Sequence, residues 1–310
     1  MFFRFQNVGT VASAVRPSAA RLYGGEAPRL KTLRTITEMR AASRQSRHSG
    51  KRLGFVPTMG ALHEGHLSLV RAARQASDVV AASIFVNPTQ FGPNEDLAKY
   101  PRSFERDCEL MEREGVELLF APSVDEMYPA GAVTWVTVEE LSKKLDGRSR
   151  PGHFRGVTTV VSKLFHIVEP DVAFFGQKDA AQSAIIRRMV CDLNLPVEIS
   201  VCPIVREPDG LAMSSRNAYL DPEQRKNALV LHRSLTRVQG LINQGEVSAA
   251  ILASCGRNEF STEPSVRLDY FEIVNPDTLD PIEDISNGAL IAVAAYVGST
   301  RLIDNFLSTR

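Results

Sequence analysis

The sequence has few of the features that mark a membrane protein or a nucleic-acid-binding protein. Its longest uninterrupted apolar run covers only residues 289–297, far short of the ~20 residues that a membrane-spanning helix needs. Its 36 basic and 36 acidic side chains cancel to a formal net charge of zero. This balance argues against a protein whose main task is to hold nucleic acid through its phosphates, although it leaves room for local basic sites.

Cysteine is also scarce. The four residues, Cys108, Cys191, Cys202 and Cys255, are widely spaced and form neither a Cys-x-x-Cys pair nor a Cys/His cluster. This spacing provides no framework for a small disulfide-linked domain and no typical zinc site. We therefore expect buried, reduced thiols and a reducing compartment.

What is present is an ordinary globular composition, except at the beginning of the chain. Residues 1–25 contain Arg4, Arg16 and Arg21, several serines and alanines, and no acidic residue. Mitochondrial transit peptides have this composition, so the sequence predicts a mitochondrial protein. The alternative is a disordered extension on a cytoplasmic protein. In both cases we exclude these residues from the fold.

Residues 28–204 alternate short β-rich runs with helical stretches. Strands that alternate with helices of this length predict parallel strands joined by crossover helices. The expected fold class is therefore α/β, a Rossmann-like doubly wound parallel sheet that binds ATP and substrate. Strands are expected at residues 53–56, 79–86, 116–120, 171–175 and 197–204, and helices at 65–73, 103–114, 157–168 and 179–192.

The pattern changes in residues 205–310. A long helix is predicted over residues 221–244, with Asp221 as its N-cap and Pro222 in its first turn. Strands are expected at residues 268–274, 290–297 and 301–306. This order predicts a smaller C-terminal α+β domain, joined to the first domain by a hinge near residues 202–216.

A candidate chemical motif lies where the first of these strands leads into a helix. Ligands of open parallel sheets bind beyond the carboxyl ends of the strands, and the N-terminus of a helix offers free N–H groups to an anion. His63 and His66 are three residues apart, so on a helix they share a face. Two imidazoles there are suited to stabilise charge on a reacting phosphate. The alternatives are a metal site and a purely structural pair.

The His-x-Gly-His pattern at residues 63–66 is similar to the signature of the nucleotidylyltransferase superfamily. The longer strings VPTMGALHEGH at residues 56–66 and SIFVNPTQF at residues 83–91 resemble the pantoate–β-alanine ligase (pantothenate synthetase) family. Further strings that resemble the family follow in order at residues 100–102, 151–156, 175–179 and 213–217. Several specific motifs in one order make coincidence implausible.

This resemblance implies a two-step reaction with small-molecule substrates. ATP and pantoate would form an enzyme-bound pantoyl adenylate and pyrophosphate. The amine of β-alanine would then attack the acyl carbon, giving pantothenate and AMP. Mg²⁺ would accompany ATP, and the enzymes of this family are usually homodimers with a Rossmann-type N-terminal domain. No nucleic-acid or membrane partner is expected.

The resemblance also implies roles for individual residues. Met59, Gly60, His63 and His66 would lie along ATP, and His66 is the residue usually given a proton-donor role. We interpret His66 instead as a stabiliser of the pentavalent phosphorus transition state, because attack by a carboxylate releases no proton. Further ATP contacts are implied for Gly176, Gln177, Lys178, Asp179, Val205, Met213, Ser214, Ser215 and Arg216, of which Lys178 and Arg216 are also candidate catalytic residues.

Pantoate and β-alanine would be bound by Asn87, Gln90 and Gln182. The acid-free stretch 147–163, which carries three arginines and a lysine, is expected to be a solvated surface or a loop that attracts anionic substrates and contributes to a dimer. Asp107 is a possible magnesium contact, although an exposed helical aspartate is the commoner explanation. No set of metal ligands can be assigned.

Two other functions remain open at this point. The first is a nucleotidylyltransferase that stops at adenylyl transfer and has no amine acceptor. The second is a nucleotide-binding scaffold without catalytic activity. Gln90 and Gln182 argue against the first, because they suit a hydroxy-acid substrate. The intact set His63, His66 and Lys178 argues against the second.

Overall fold

The computed structural model describes residues 29–93 and 95–309, so the predicted leader lies outside the described residues. The strands are β1 (Lys31–Leu33), β2 (Leu53–Thr58), β3 (Val79–Ile84), β4 (Leu118–Phe120), β5 (Val172–Gly176), β6 (Glu198–Cys202), β7 (Val266–Val274), β8 (Ala289–Val297) and β9 (Thr300–Ser308). The helices are α1 (Ile36–His48), α2 (Glu64–Ala76), α3 (Phe104–Arg113), α4 (Val124–Met127), α5 (Asp146–Ser149), α6 (His153–Val168), α7 (Ala180–Asp192), α8 (Pro222–Asn227), α9 (Leu229–Asn243) and α10 (Ala249–Asn258).

Six strands form a parallel sheet in the order β1-β4-β3-β2-β5-β6. Helices α1, α6 and α7 pack on one face of this sheet, and α2 and α3 pack on the other. The chain therefore winds outward from β2 in both directions, which confirms the predicted doubly wound fold. The strand order reverses between β2 and β5, the position where ligands bind in such sheets.

Strand β2 extends beyond its predicted end at residue 56, through Pro57 to Thr58. Its pairing with β3 continues to Thr58, whereas its pairing with β5 stops at Phe55. Pro57 has no N–H to donate, and it lies in the part of β2 that pairs with one neighbour only. The pairing of β2 with β5 therefore ends three residues before β2 itself does.

The C-terminal strands form a separate antiparallel sheet in the order β7-β8-β9. Phe271 and Val293 pack on one of its faces with residues of α9 and α10. Tyr270 and Ala292 on the other face join the core beneath α6 and α7. Strand β8 is consequently buried on both sides, which explains the longest apolar run of the sequence. The domain boundary at residues 204 and 205 stays a prediction.

The predicted long helix is two helices, α8 and α9, that meet at Ala228. As predicted, Asp221 caps α8, since its side chain accepts a hydrogen bond from the backbone N–H of Gln224 at 2.8 Å, and Pro222 takes the first position. The interruption arises because the N–H of Leu231 bonds to the carbonyl of Ala228, an i,i+3 bond that tightens the turn.

Several elements of the described chain, among them β1, α1 and α10, were not predicted. Helix α1 buries only Met39, Ala42 and Ser43, so its apolar stripe is too narrow to stand out from its charged residues. The expectation of buried thiols holds for Cys202, but Cys191 is exposed at the end of α7. All four cysteines are free, and no described helix is both long and apolar enough to span a bilayer.

Candidate active site

A tight turn carries the chain from the carboxyl end of β2 into α2. Gly60 has φ +80° and Ala61 has φ +52°, two successive left-handed residues that reverse the chain within a few positions. A side chain at Gly60 would also meet Asp107, since a Cβ there would lie 3.0 Å from Oδ2. Glycine is therefore required at position 60 for both conformation and space.

Asp107 holds this turn in place. Its Oδ2 accepts a hydrogen bond from the N–H of Ala61 at 2.8 Å, and its Oδ1 accepts from the N–H of Leu62 at 2.9 Å. The hydroxyl of Ser103 donates to Oδ1 at 3.2 Å, and the residue is 1% exposed. The expectation of an exposed helical aspartate is therefore wrong, whereas the magnesium contact stays a prediction. The carboxylate of Asp107 accepts hydrogen bonds from backbone N–H groups, and such partners cannot be recognised in a sequence.

His63 and His66 form the cap of α2. The Nδ1 of His63 accepts a hydrogen bond from the N–H of Gly65 at 3.2 Å, and the Nδ1 of His66 accepts from the N–H of His63 at 3.3 Å. A ring nitrogen that accepts carries no proton, so each neutral ring has its proton on Nε2. A Cβ at position 65 would lie 2.9 Å from the His63 ring, so Gly65 leaves space for this arrangement.

Both imidazoles are kept neutral by their surroundings. Burial, helped by the positive charge of Lys178, lowers the pKa of His63 to about 4. Burial, with His63 and then Lys178 as further causes, holds the pKa of His66 well below its usual value. The ring centroids are 4.1 Å apart. The pair therefore provides two neutral Nε2–H donors at neutral pH and no imidazolium that could act as an acid.

Asn87 and Gln90 lie beyond β3 and are both buried. The amide of Asn87 donates to Oε1 of Gln90 and to the carbonyl of Gly156, each at 3.1 Å. The Nε2 of Gln90 donates to the sulfur of Met59 at 3.0 Å. This bond links the turn after β3 to residues 59–66, here called the histidine turn. Tyr128, which was not predicted, donates to Oδ1 of Asn87 at 3.0 Å. Asn87 thus orients Gln90 and has few free hydrogen-bonding groups of its own.

His153 supports the same turn from α6. Its Nε2 accepts from Arg150 at 2.9 Å, so its Nδ1 carries the proton and donates to the carbonyl of Gln90 at 2.7 Å. Burial and the adjacent Arg150 lower the pKa of His153 to about 4. A Cβ at Gly156 would lie 2.3 Å from the carbonyl oxygen of Thr89, so the helix touches the turn with its backbone. The string at residues 151–156 was the only sign of this support in the sequence.

The basic stretch is less cationic than its composition suggests. Arg150 pairs with Glu95 at 2.9 Å between Nε and Oε1, and Arg148 pairs with Glu272. The guanidinium of Arg155 lies over the ring of Trp135, 4.5 Å from its centroid. These three arginines are therefore engaged with partners, and the loop that attracts anionic substrates stays a prediction.

A cleft of about 1020 Å³ lies between the loops that follow β3 and β5, residues 211–219 and strand β9. Of the predicted site residues, five line it, namely Lys178, Asp179, Gln182, Ser214 and Arg216. The side chain of Gln177 instead donates to Asn305 of β9 at 2.9 Å. His63, His66, Met59, Asn87 and Gln90 do not line the cleft, and Gly60, Gly176, Val205, Met213 and Ser215 do not line it either.

Residues 213–219, here called the lid, lie across one side of this cleft. The guanidinium of Arg216 forms two parallel hydrogen bonds with Asp96, at 2.9 and 3.0 Å. The hydroxyl groups of Ser215 and Tyr100 are 3.4 Å apart. Ser214 caps the single turn that contains Arg216, at 3.3 Å. The lid is therefore fastened to the loop that follows β3.

The root of the lid is a hairpin turn, which lies within the predicted hinge near residues 202–216. The N–H of Met213 bonds to the carbonyl of Val205 at 3.0 Å. Gly210 has φ +97°, and a Cβ there would lie 2.2 Å from the ring of His232. The glycine at position 210 permits a tight turn that packs against α9. A Cβ at Gly65 would lie 3.9 Å from the Cβ of Met213, so the lid reaches the start of α2.

Comparison with known proteins identifies the family. The sequence model described as Pantoate-beta-alanine ligase matches residues 31–307. The chain belongs to the pantoate–β-alanine ligase family. It is 62% identical over 278 residues to the pantothenate synthetase of Koribacter versatilis, which covers 90% of this chain and 96% of the relative. It is 58% identical over 276 residues to that of Thermotoga neapolitana, covering 89% and 99%.

Solved structures of the family have the same fold. The pantothenate synthetase of Thermus thermophilus aligns with a TM-score of 0.85 and 49% identity, covering 89% of this chain and 99% of that one. The ligase of Francisella tularensis, described as complexed with Beta-gamma ATP and beta-alanine, aligns with a TM-score of 0.73 and 35% identity, covering 90% and 97%. As a member of this family the chain is an enzyme, an ATP-using ligase.

The family also corrects one expectation. The relatives named above come from bacteria, which have no mitochondria, so the prediction of a mitochondrial protein is wrong. That prediction rested on the arginine, serine and alanine content of residues 1–25. Many segments that are not targeting signals have the same composition. The cytoplasmic alternative fits these relatives.

Proposed function

We propose that the enzyme condenses pantoate with β-alanine in two steps within the cleft and its adjoining histidine turn. In the first step the pantoate carboxylate attacks the α-phosphorus of ATP, and pyrophosphate leaves. In the second step the amine of β-alanine attacks the acyl carbon of pantoyl adenylate, and AMP leaves. The observation that carries this proposal is the neutral pair His63 and His66 at the start of α2, beside the cationic Lys178.

In the first step negative charge grows on the α-phosphoryl oxygens and on the leaving pyrophosphate. The Nε2–H groups of His63 and His66 would donate to these oxygens from fixed positions, since each ring is held by its own Nδ1. Fixed donors of this kind stabilise a transition state without reorganising. Lys178 would add a point charge and Arg216 a bidentate donor. His66 therefore acts without giving up a proton.

Pantoate would be held by Gln90 and Gln182. Gln90 is oriented by Asn87 and by His153 behind it, so its amide faces the site in a defined way. Its contact with Met59 is a weak hydrogen bond to sulfur, which a substrate hydroxyl or carboxylate would replace at low cost. Asp179 and the backbone of Gly176, Gln177 and Val205 would serve ATP.

The lid would exclude water. An acyl adenylate in contact with water hydrolyses, so loops that cover such intermediates protect the product. In the structure Arg216 is bound to Asp96. Phosphate oxygens accept two parallel hydrogen bonds from a guanidinium as a carboxylate does. We propose that ATP takes Arg216 from Asp96 as the lid closes.

Magnesium is proposed as a companion of ATP rather than as a resident ion. Residues 29–93 and 95–309 gather no group of three or more side chains suited to hold a metal, and both oxygens of Asp107 accept backbone N–H groups. Mg²⁺ at nucleotide sites commonly keeps its waters and binds mainly through phosphates. None of the steps above is assigned to the ion.

An assay with substrates omitted one at a time tests this function. With ATP, pantoate and β-alanine together we expect AMP and pantothenate in equal amounts, and omission of any one should abolish steady AMP release. Without β-alanine, ATP–pyrophosphate exchange should persist, because the first step is reversible. Steady AMP release without β-alanine, or none with all three substrates, would contradict the proposal.

We propose further that the enzyme is a homodimer that pairs through residues 132–138, which precede α5. Val133 is 83% exposed and Trp135 43% exposed, an unusual display of apolar surface. The segment is held against α6, since the N–H of Val136 donates to the hydroxyl of Thr159 at 3.0 Å. Exposed apolar side chains gain from burial against another surface, and a second copy carries the same segment.

Replacing Trp135 by glutamate should convert the dimer into a monomer, because it places a charge in the proposed interface. The mass of each species in solution, measured by light scattering after size-exclusion chromatography, gives the answer. Ile251→Glu is the matched control, since Ile251 is 53% exposed on α10. A monomeric wild type, or an unchanged dimer of the Trp135→Glu variant, would refute this interface.

A further inference from the structure

Two polar residues in the middle of β9 have no role in the function described so far. Asp304 and Asn305 are each only 2% exposed. Consecutive strand residues point to opposite faces of a sheet. Asp304 pairs in register with Val293 on the face toward α9, and Asn305 pairs with Ala292 on the face toward the parallel sheet.

Asn305 reaches the loop that presents Lys178. Its Nδ2 donates to the carbonyl of Gln177 at 3.0 Å and to the carbonyl of Lys178 at 2.9 Å. Its Oδ1 accepts from the side chain of Gln177 at 2.9 Å. One buried amide thus fixes two successive peptide groups of the segment between β5 and α7. An unpaired buried carbonyl is costly, so this segment depends on Asn305 for its position.

Asp304 reaches the root of the lid on the other side. Its carboxylate binds the guanidinium of Arg206 with two hydrogen bonds, at 2.6 and 3.0 Å. Arg206 also donates to the carbonyl of Gly210 at 3.0 Å, and it pairs with Ala212 across the hairpin that leads into the lid. Bidentate arginine–carboxylate pairs are geometrically strict, so Asp304 sets where the lid begins.

We propose that Asp304 and Asn305 are positioning residues that fix the distance between Lys178 and the lid across the cleft. This inference rests on the proposed function, because it assumes that ATP lies between these two walls. Neighbouring residues of one strand cannot move independently. The loop of Lys178 and the root of the lid are therefore both attached to the same short part of β9. The C-terminal sheet is then a part of the nucleotide site rather than only a cover for the core.

Asn305→Asp is the first test. The substitution keeps the size of the side chain but replaces the amide donor with a carboxylate that faces two carbonyl oxygens. We expect the KM for ATP to rise about tenfold or more, with the KM for β-alanine unchanged. A purely structural role would lower the melting temperature and kcat without separating the two KM values. The control is Asn243→Asp, the same change at an exposed site where Oδ1 accepts from Gln239.

Asp304→Asn tests the other wall. The variant keeps its shape but loses the charge that holds Arg206, so the lid should close less completely. We expect the ratio of AMP to pantothenate to rise above one, because adenylate is lost to water. Arg206→Lys, which keeps the positive charge and loses the bidentate geometry, should raise the same ratio if Asp304→Asn fails to fold.

The outcomes separate the two proposals. If the wild type forms no AMP from its three substrates, the proposed function fails. If the wild type is active and Asn305→Asp leaves the KM for ATP at the wild-type value, the positioning role fails. An AMP-to-pantothenate ratio of one in both Asp304→Asn and Arg206→Lys would also overturn it. Selective loss of ATP affinity in Asn305→Asp, with a raised ratio in the variants of the lid root, supports it.

Discussion

Replacing His66 by asparagine is expected to slow the formation of pantoyl adenylate by about 10²–10³-fold while the protein stays as stable as the wild type. The Oδ1 of asparagine takes the place of Nδ1 and accepts the hydrogen bond from the N–H of His63, which the wild type makes at 3.3 Å. The cap of α2 therefore survives. What is lost is the Nε2–H, since asparagine has no atom at that position.

The alanine variant separates capping from catalysis. His66→Ala removes both ring nitrogens, so it should lose the same catalytic factor and, in addition, ~0.5–2 kcal/mol of stability, the usual value of a helix cap. Pantoate-dependent ATP–pyrophosphate exchange measures the first quantity and thermal unfolding the second. Normal exchange by a folded His66→Asn variant would show that the Nε2–H has no role in the step.

The sequence predicted the position of this pair but not its chemical state. The order of strand, glycine turn and helix placed His63 and His66 at the edge of the sheet. Their tautomer depends on backbone N–H groups that only the folded turn brings to Nδ1. Their neutrality depends on burial and on Lys178, which is distant in the chain. A proton-donor role and a hydrogen-bonding role are therefore indistinguishable in sequence.

The supporting residues were harder to predict than the site itself. Asp107, His153 and Asn305 act on backbone groups, and a backbone partner leaves no complementary residue in the sequence. The parallel sheet was predicted well because its buried strands are short apolar runs between helices. The break at Ala228 was missed because a single i,i+3 bond does not alter the helical pattern of side chains.

Lys178→Met is expected to reduce adenylate formation by a similar factor of about 10²–10³. Methionine fills nearly the same space, so the loop held by Asn305 through the backbone of Lys178 should keep its position. The variant lacks the ammonium group of Lys178, which in the proposed mechanism interacts directly with the phosphates of ATP. This ammonium group also lowers the pKa of His63 and His66, although burial is the larger cause for both.

The pH dependence of this variant provides the sharper test. In the wild type the neutral form of His63 persists down to a pKa of about 4. Protonation at Nδ1 would place a donor against the N–H of Gly65 and break the cap, so activity should fall on the acid side of that value. Without Lys178 the pKa of both rings rises, while burial still keeps it below the usual 6.5. The acid limb of the exchange rate should therefore begin at a higher pH in the variant.

Rates of pantoate-dependent ATP–pyrophosphate exchange between pH 4 and pH 8 give both the plateau rate and the shape of this limb. Each limb is normalised to the plateau of the same protein and compared with that of the wild type, because titration of the substrates affects all the proteins alike. The plateau rates themselves are compared without normalisation. Lys143→Met is the control, because Lys143 is an exposed lysine paired with Glu140 at 3.0 Å, and its profile should overlay the wild type. A lower plateau with an unmoved limb would mean that Lys178 serves the phosphates alone. A plateau rate equal to that of the wild type would show that Lys178 does not contribute to the first step. The neutral histidines would then be the remaining hydrogen-bond donors of that step.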